Sequence, residues 1–157
     1  MSSEPTPRVR LIEERLTHSV IGAFYEVYRH LGFGFVEYLY AMALERELVA
    51  KGHCVAREVH VGVRYKGEEL GKQRIDMLVD QRLIVEAKAA LDLPKGARFQ
   101  LYNYLRAMNI EVGLLLHFGP EPKFYRMVCR RPFGTPPAKQ HPPLSDSSGS
   151  SASTLRS

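Results

Sequence analysis

The period of the apolar positions changes along the chain and divides it into elements. From Val9 to Leu31, Leu11, Ile12, Leu16, Val20, Ile21, Phe24, Val27, Tyr28 and Leu31 recur at the three- and four-residue spacing of one helix face, and Gly32-Phe33-Gly34 supplies the stop. A second helical stretch runs from Val36 to Ala50, with Leu39, Met42, Ala43 and Leu48 inward and Lys51-Gly52 closing it. The period then drops to two. Val55, Val59, Val61, Val63 and Tyr65 mark a strand over Val55–Tyr65, and Lys66-Gly67-Glu68-Glu69 reads as a hairpin turn. Leu70–Val79 is a second strand, Asp80-Gln81 a tight turn and Leu83–Ala89 a third strand, which together predict an antiparallel meander.

After a loop over Leu91–Gly96 the helical period returns from Ala97 to Met108, with Leu101, Leu105 and Met108 on one stripe and Gln100, Asn103 and Tyr104 near another. Val112–Phe118 is apolar almost throughout, the pattern of a central strand covered on both faces. Gly119-Pro120 turns it into an expected edge strand over Lys123–Cys129. The order ααβββαββ predicts an α/β fold, a mixed sheet with helices on its faces. Residues 1–8 read as a flexible lead-in and 9–131 as one domain. Residues 132–157 hold five prolines and a Ser-rich run, too little apolar surface to offset the entropy of ordering, so this tail is expected to be disordered.

Composition adds limits rather than a function. The 157 residues are 45% hydrophobic and 25% charged, ordinary for a soluble domain with its own core. No apolar run approaches the roughly 18 residues of a membrane span, and the polar start is unlike a signal peptide, so no membrane partner is expected. Cys54 and Cys129 stand in unrelated contexts, too few for a zinc or iron–sulfur site, and a reducing, cytoplasmic setting is the default. The net charge of +5 is weak evidence for a nucleic-acid partner. Through Val128 there are 18 Lys and Arg against 16 Asp and Glu, so most of the excess belongs to the tail.

One stretch carries chemistry. Arg82-Leu-Ile-Val-Glu-Ala-Lys-Ala89 is an apolar strand that ends by presenting Glu86 and Lys88 on one face, with Ile84, while Leu83, Val85 and Ala87 take the other. Burying a carboxylate and an ammonium is costly unless something uses them. With Asp76 on the preceding strand they read as the acid, acid and base set expected of a metal-dependent nuclease centre. Mg²⁺ prefers one or two carboxylates and keeps several waters, so Asp76 and Glu86 suffice as side-chain ligands, and the backbone carbonyl of Ala87 can add a third. Lys88 would position or deprotonate the attacking water. The competing reading is an exposed Glu86–Lys88 pair on an edge strand. The six histidines show no metal-ligand spacing, and no phosphate-binding glycine loop or nucleophile elbow is present.

Several stretches together resemble the GxxExxY protein family, a branch of the PD-(D/E)XK, restriction-endonuclease-like nucleases. These are Gly34-Phe-Val-Glu37-Tyr-Leu-Tyr40, the Tyr65-Lys-Gly-Glu turn, Arg74-Ile-Asp76-Met-Leu-Val, Val85-Glu-Ala-Lys88, Gln100-Leu-Tyr-Asn-Tyr-Leu and Val112-Gly-Leu-Leu-Leu with Phe118-Gly119. The resemblance covers roughly residues 10–128 and implies a restriction-endonuclease-like core with Asp76, Glu86 and Lys88 as its catalytic trio. It further implies Glu37 as an additional active-site acid and Gln100 as the polar residue of the following helix. Tyr40 is expected to pack and support the site, and Gln100 with Tyr104, one turn on, to contact substrate or support Lys88, with a plain solvated helix face as the alternative. A carboxylate at Glu37 also suits a helix N-terminus without any catalytic role. Ile75 stands where the superfamily pattern has Pro, and His117 where a smaller polar residue is expected; neither is assigned a role. The expected activity is Mg²⁺- or Mn²⁺-dependent phosphodiester hydrolysis, on DNA rather than RNA, with a homodimer as one arrangement the resemblance allows. The alternative is a non-catalytic module that keeps the fold for nucleic-acid or protein binding.

Overall fold

A computed structural model describes residues 11–130; the lead-in over 1–8 and the tail over 132–157 expected from the sequence lie outside the described residues. The elements are α1 (Glu14–Leu31), α2 (Glu37–Ala50), β1 (Val55–Tyr65), β2 (Glu68–Val79), β3 (Leu83–Lys88), α3 (Ala97–Met108), β4 (Val112–Phe118) and β5 (Pro122–Val128). The ααβββαββ order is as expected, and the five strands lie in the order β1-β2-β3-β4-β5. All neighbouring pairs are antiparallel except β3 and β4, which run parallel because α3 carries the chain back between them.

Helices cover both faces. On one side α1 and α2 pack Val20, Phe24, Leu44 and Leu48 against Met77, Val85, Leu114 and Leu116. On the other, Leu101 and Leu105 of α3 meet Ile84 and Leu115. Gly113 of β4 lets α3 approach closely, since a Cβ there would lie 2.9 Å from Leu101. β4 is buried at every position, which accounts for its unbroken apolar sequence. The expected four-residue hairpin turn is tighter than the sequence suggests. β2 already begins at Glu68, and Lys66 and Gly67 turn the chain, both with positive φ.

Two features fix the ends of the helices, and a third ties α1 to the turns beside the sheet. Gly32 closes α1 at φ 66, a conformation that suits a residue without a Cβ. The Tyr40 ring stacks on Phe118 at 4.3 Å, and its hydroxyl donates to the Gly32 carbonyl and accepts from the Phe35 N–H. This residue of α2 thereby sets the loop that leads into its own helix. A polar clamp lies along the same helical layer. His53 Nδ1 meets Asp80 Oδ2 at 2.7 Å, its Nε2 meets Ser19 Oγ at 2.7 Å, and the Cys54 N–H donates to Asp80 Oδ1. It joins α1, the α2–β1 connection and the Asp80-Gln81 turn.

The sheet has one departure from simple alternation that matters for function. Ile75 belongs to the core under α3, whereas Met77, two residues on, belongs to the core under α1 and α2. Between them Asp76 has no ladder partner on β1, and the residue opposite, Glu58, stands at φ 53. A non-glycine residue in that region bends and twists a strand. Beyond this kink the β1–β2 ribbon swings away from β3, whose pairing with β2 ends at Met77↔Val85.

Candidate active site

The kink opens the β2–β3 ladder at the place where Asp76 and Glu86 would have been the next pair. Two backbone N–H groups released there are taken by side chains. The Asp76 N–H donates to Glu86 Oε1 at 3.1 Å, and the Ala87 N–H donates to Asp76 Oδ2 at 2.9 Å. Each carboxylate thus replaces a ladder bond with one oxygen, and among the described residues its other oxygen takes no hydrogen bond. This satisfies the backbone and, in doing so, holds two acidic groups side by side.

Lys88 follows on the same face of β3, with Nζ 3.9 Å from Glu86 Oε2. β3 lies inside the sheet, between β2 and β4, and Glu86 is only 4% exposed. That rules out an exposed pair on an edge strand. Glu37 stands in the first turn of α2, and its Oε2 accepts the Ala89 N–H at 3.2 Å, just past the end of β3. Glu37 therefore joins the cluster from the opposite helical layer.

The electrostatics are those of crowded acids. Burial is the largest influence on Glu86 and the Asp76 charge the next, with Glu37 adding to them. Together they push its carboxyl up to about 8 against the opposing hydrogen bond from Asp76 and the charge of Lys88. Tyr104 of α3 lies in the same field: burial first, then Glu86 and Asp76, raise its hydroxyl above the ordinary range, while Gln100 acts the other way. Gln100 is exposed beside it. Asp76, Glu86, Lys88, Glu37, Gln100 and Tyr104 thus converge from four elements. Tyr40 does not join them; it shapes the loop before Glu37.

The folded chain contributes one residue to which the sequence reading attaches no role. His117 is paired in register with Lys88, and its Nε2 bonds the Ala90 carbonyl at 2.8 Å while the buried Nδ1 has no hydrogen-bond partner among the described residues. Gly119 leaves room for this ring, since a Cβ there would sit 2.8 Å from it. With Glu37 on the Ala89 N–H, His117 secures the chain immediately after Lys88. The available signal was a lone polar residue at the end of an otherwise apolar strand.

The family model of the PD-(D/E)XK nuclease superfamily matches residues 14–129, every element of the fold. The chain belongs to this superfamily. No curated relative matches it. Among solved structures it is similar to one titled "Crystal structure of SSO0001", at 22% identity and a TM-score of 0.47, over 74% of this chain and 58% of that one. PD-(D/E)XK nucleases typically use divalent metals. Among the described residues no three His, Cys, Asp or Glu side chains are grouped to enclose a metal ion by themselves. The donors present, two carboxylates each with one oxygen outside the hydrogen bonds to the backbone, suit a hard cation that retains much of its water.

Proposed function

We propose that the chain is a Mg²⁺- or Mn²⁺-dependent nuclease that hydrolyses phosphodiester bonds, in DNA rather than RNA, and works in the cytoplasm. The observation that carries this reading is the burial of Glu86 against Asp76 on an interior strand, with Lys88 beside it. Like charges brought together in a buried place are unfavourable in the free protein, and a divalent cation removes the conflict.

Asp76 and Glu86 would hold the ion through their carboxylates, with the Ala87 carbonyl as a backbone ligand. The bound ion supplies Lewis acidity and a more acidic water. Lys88 would orient an attacking water, help to take its proton and offset the negative charge that develops on the phosphate. Glu37 and His117 keep the Ala89–Ala90 segment in place so that Lys88 stays aimed, and Tyr104 and Gln100 form the wall that faces substrate.

The test is a digestion panel of single-stranded, double-stranded and branched DNA and of RNA, with and without Mg²⁺ or Mn²⁺, beside Asp76→Ala. Metal-dependent cleavage that Asp76→Ala abolishes is the expected result. Cleavage that persists at full rate in that variant is a contaminant's and removes the assignment; no cleavage of any substrate favours a binding module.

A further inference from the structure

β1 and β5 are the two edges of the sheet, and they are built differently. β5 opens on Pro122-Lys123 and carries Arg126, residues of the kind that keep an exposed edge from pairing. β1 runs for 11 residues with neither proline nor lysine, and among the described residues no strand pairs with its outer side. Its far half also leaves apolar side chains uncovered. Val59 and Val61 pack into the core under α3, whereas Val63 and Tyr65, on the same face, are 38% and 59% exposed.

Such an edge fits another strand, and the order of residues along β1 restricts which. The run Val59–Tyr65 lies between Glu58 and Lys66, which stand at φ 53 and φ 50 and end it on either side. Outward from Gly62 in both directions the residues match in type: Val61 with Val63, His60 with Arg64, Val59 with Tyr65, and then Glu58 with Lys66, of opposite charge. An antiparallel partner reverses the chain direction. A second copy of β1 laid on the edge, with Gly62 on the two-fold axis, therefore sets these pairs across the junction.

The exposed Val63 then meets the second copy's Val61, and Tyr65 meets its Val59, an aromatic ring on a β-branched residue. Each uncovered side chain continues the cluster under the other copy's α3. Glu58 meets the second copy's Lys66. On the polar face His60 meets Arg64, whose charge is balanced by its register partner Glu69; that carboxylate folds over Gly62, where a Cβ would lie 2.7 Å from it. A slip of one residue would set Val61 against Arg64 and Val59 against Lys66, so one register is favoured.

We propose that the chain forms a two-fold homodimer through the outer edges of two β1 strands, which joins two five-stranded sheets into one with Gly62 at the axis.

Disulfide trapping in the full chain reads the register, because only a residue on the axis faces its own copy. The background is Cys54→Ser, since Cys54 is an exposed free cysteine and Cys129 is buried. Under mild oxidation Gly62→Cys should give a covalent dimer, as paired Cα atoms in an antiparallel ladder lie about 4.5–5.5 Å apart. Tyr65→Cys, more exposed but about 20 Å from its own copy, should remain at the background level. The added Cβ at Gly62 meets only the end of the Glu69 side chain, which can swing aside, and an unchanged melting temperature of the reduced protein confirms the fold. Equal trapping at the two positions, or none at Gly62, overturns the proposal.

Sedimentation velocity over a concentration series tests the charges. Wild type should pass from monomer to dimer, Glu58→Lys and Lys66→Glu should each weaken the dimer about tenfold, and the double variant should recover it. Glu58 also lies 3.5 Å from Arg74 of its own copy, a contact that the double variant does not restore, so recovery can come only from the junction. A wild type that stays monomeric at every concentration, a dimer that neither single substitution weakens, or a double variant as weak as the singles overturns the proposal.

Discussion

Asp76 lies near the end of β2 and Asp80, four residues on, in the turn that follows it, and their surroundings are opposite in kind. Asp80 has a partner for each oxygen, the His53 ring and the Cys54 N–H. Partial burial pushes its carboxyl up, but the hydrogen bonds from Cys54 and His53, with the charges of His53 and Arg82, hold it below the ordinary range. Asp76 faces another acid, and the outcome is a Glu86 carboxyl raised to about 8. The Ser19–His53–Asp80 chain has donors matched to acceptors and ties three elements together. The Asp76–Glu86–Glu37 cluster concentrates acids around one Lys88 and stabilises nothing beyond the local backbone. A matched network explains itself by the fold it holds, whereas a mismatched one points to a ligand that completes it.

The contrast is broken most directly by activity. Lys88→Ala and Asp76→Ala should lower metal-dependent cleavage about a hundredfold or more, while Ser19→Ala and His53→Ala leave it at the wild-type level, as initial rates on the same substrate would show. Loss of cleavage in the second pair, in folded protein, would mean that the clamp and the cluster are not separate in function.

Stability should rank the two sites the other way. Asp80→Ala leaves the Cys54 N–H and the His53 ring without their acceptor and should cost about 1–3 kcal/mol in urea unfolding. Glu86→Gln, which keeps an acceptor for the Asp76 N–H and removes a charge, should cost nothing in metal-free buffer at pH 8 and should raise stability there.

The pH dependence sharpens the same point because the signs are opposite. The Glu86 carboxyl is raised in the folded state, so the unfolded chain releases that proton first. Its contribution is fully present below its ordinary value of 4.5 and is lost as pH rises towards about 8. Asp80 is lowered, so its contribution is present above 3.8 and is lost as pH falls below that value. Unfolding curves across pH should therefore show Glu86→Gln gaining on wild type between pH 4.5 and 8. Asp80→Asn should flatten the acid limb alone. The smallest effect belongs to Tyr40→Phe, which loses the hydroxyl bridge to Gly32 and Phe35 and should cost about 1 kcal/mol without moving metal affinity.

The fold was legible in the sequence wherever period and punctuation agreed. Val55–Tyr65, Ala97–Met108 and Val112–Phe118 have the expected bounds because alternation, a helical stripe and an unbroken apolar run each met a glycine or a polar break. The site was legible in part because Glu86 and Lys88 are two residues apart on one strand, and the positions matching the GxxExxY pattern pointed to Glu37, which the fold brings to the end of β3. What could not be read was the kink. Glu58 at φ 53 has no residue-type preference to announce it, so the exchange of faces between Ile75 and Met77, and the hydrogen bonds that lock Asp76 to Glu86, emerge only in three dimensions. The Ser19–His53–Asp80 clamp was hidden for another reason. Its members come from three elements separated by 34 and 27 positions, and no local spacing connects them.

The account as a whole depends on a divalent ion completing the crowded cluster. Calorimetric titration of the full chain with Mn²⁺ at pH 7 tests this directly. Binding should be detectable, should release protons because Glu86 is raised to about 8 in the free protein, and should disappear in both Asp76→Ala and Glu86→Gln while surviving Asp80→Asn. No binding to wild type, or binding that persists unchanged in both cluster variants, would contradict it.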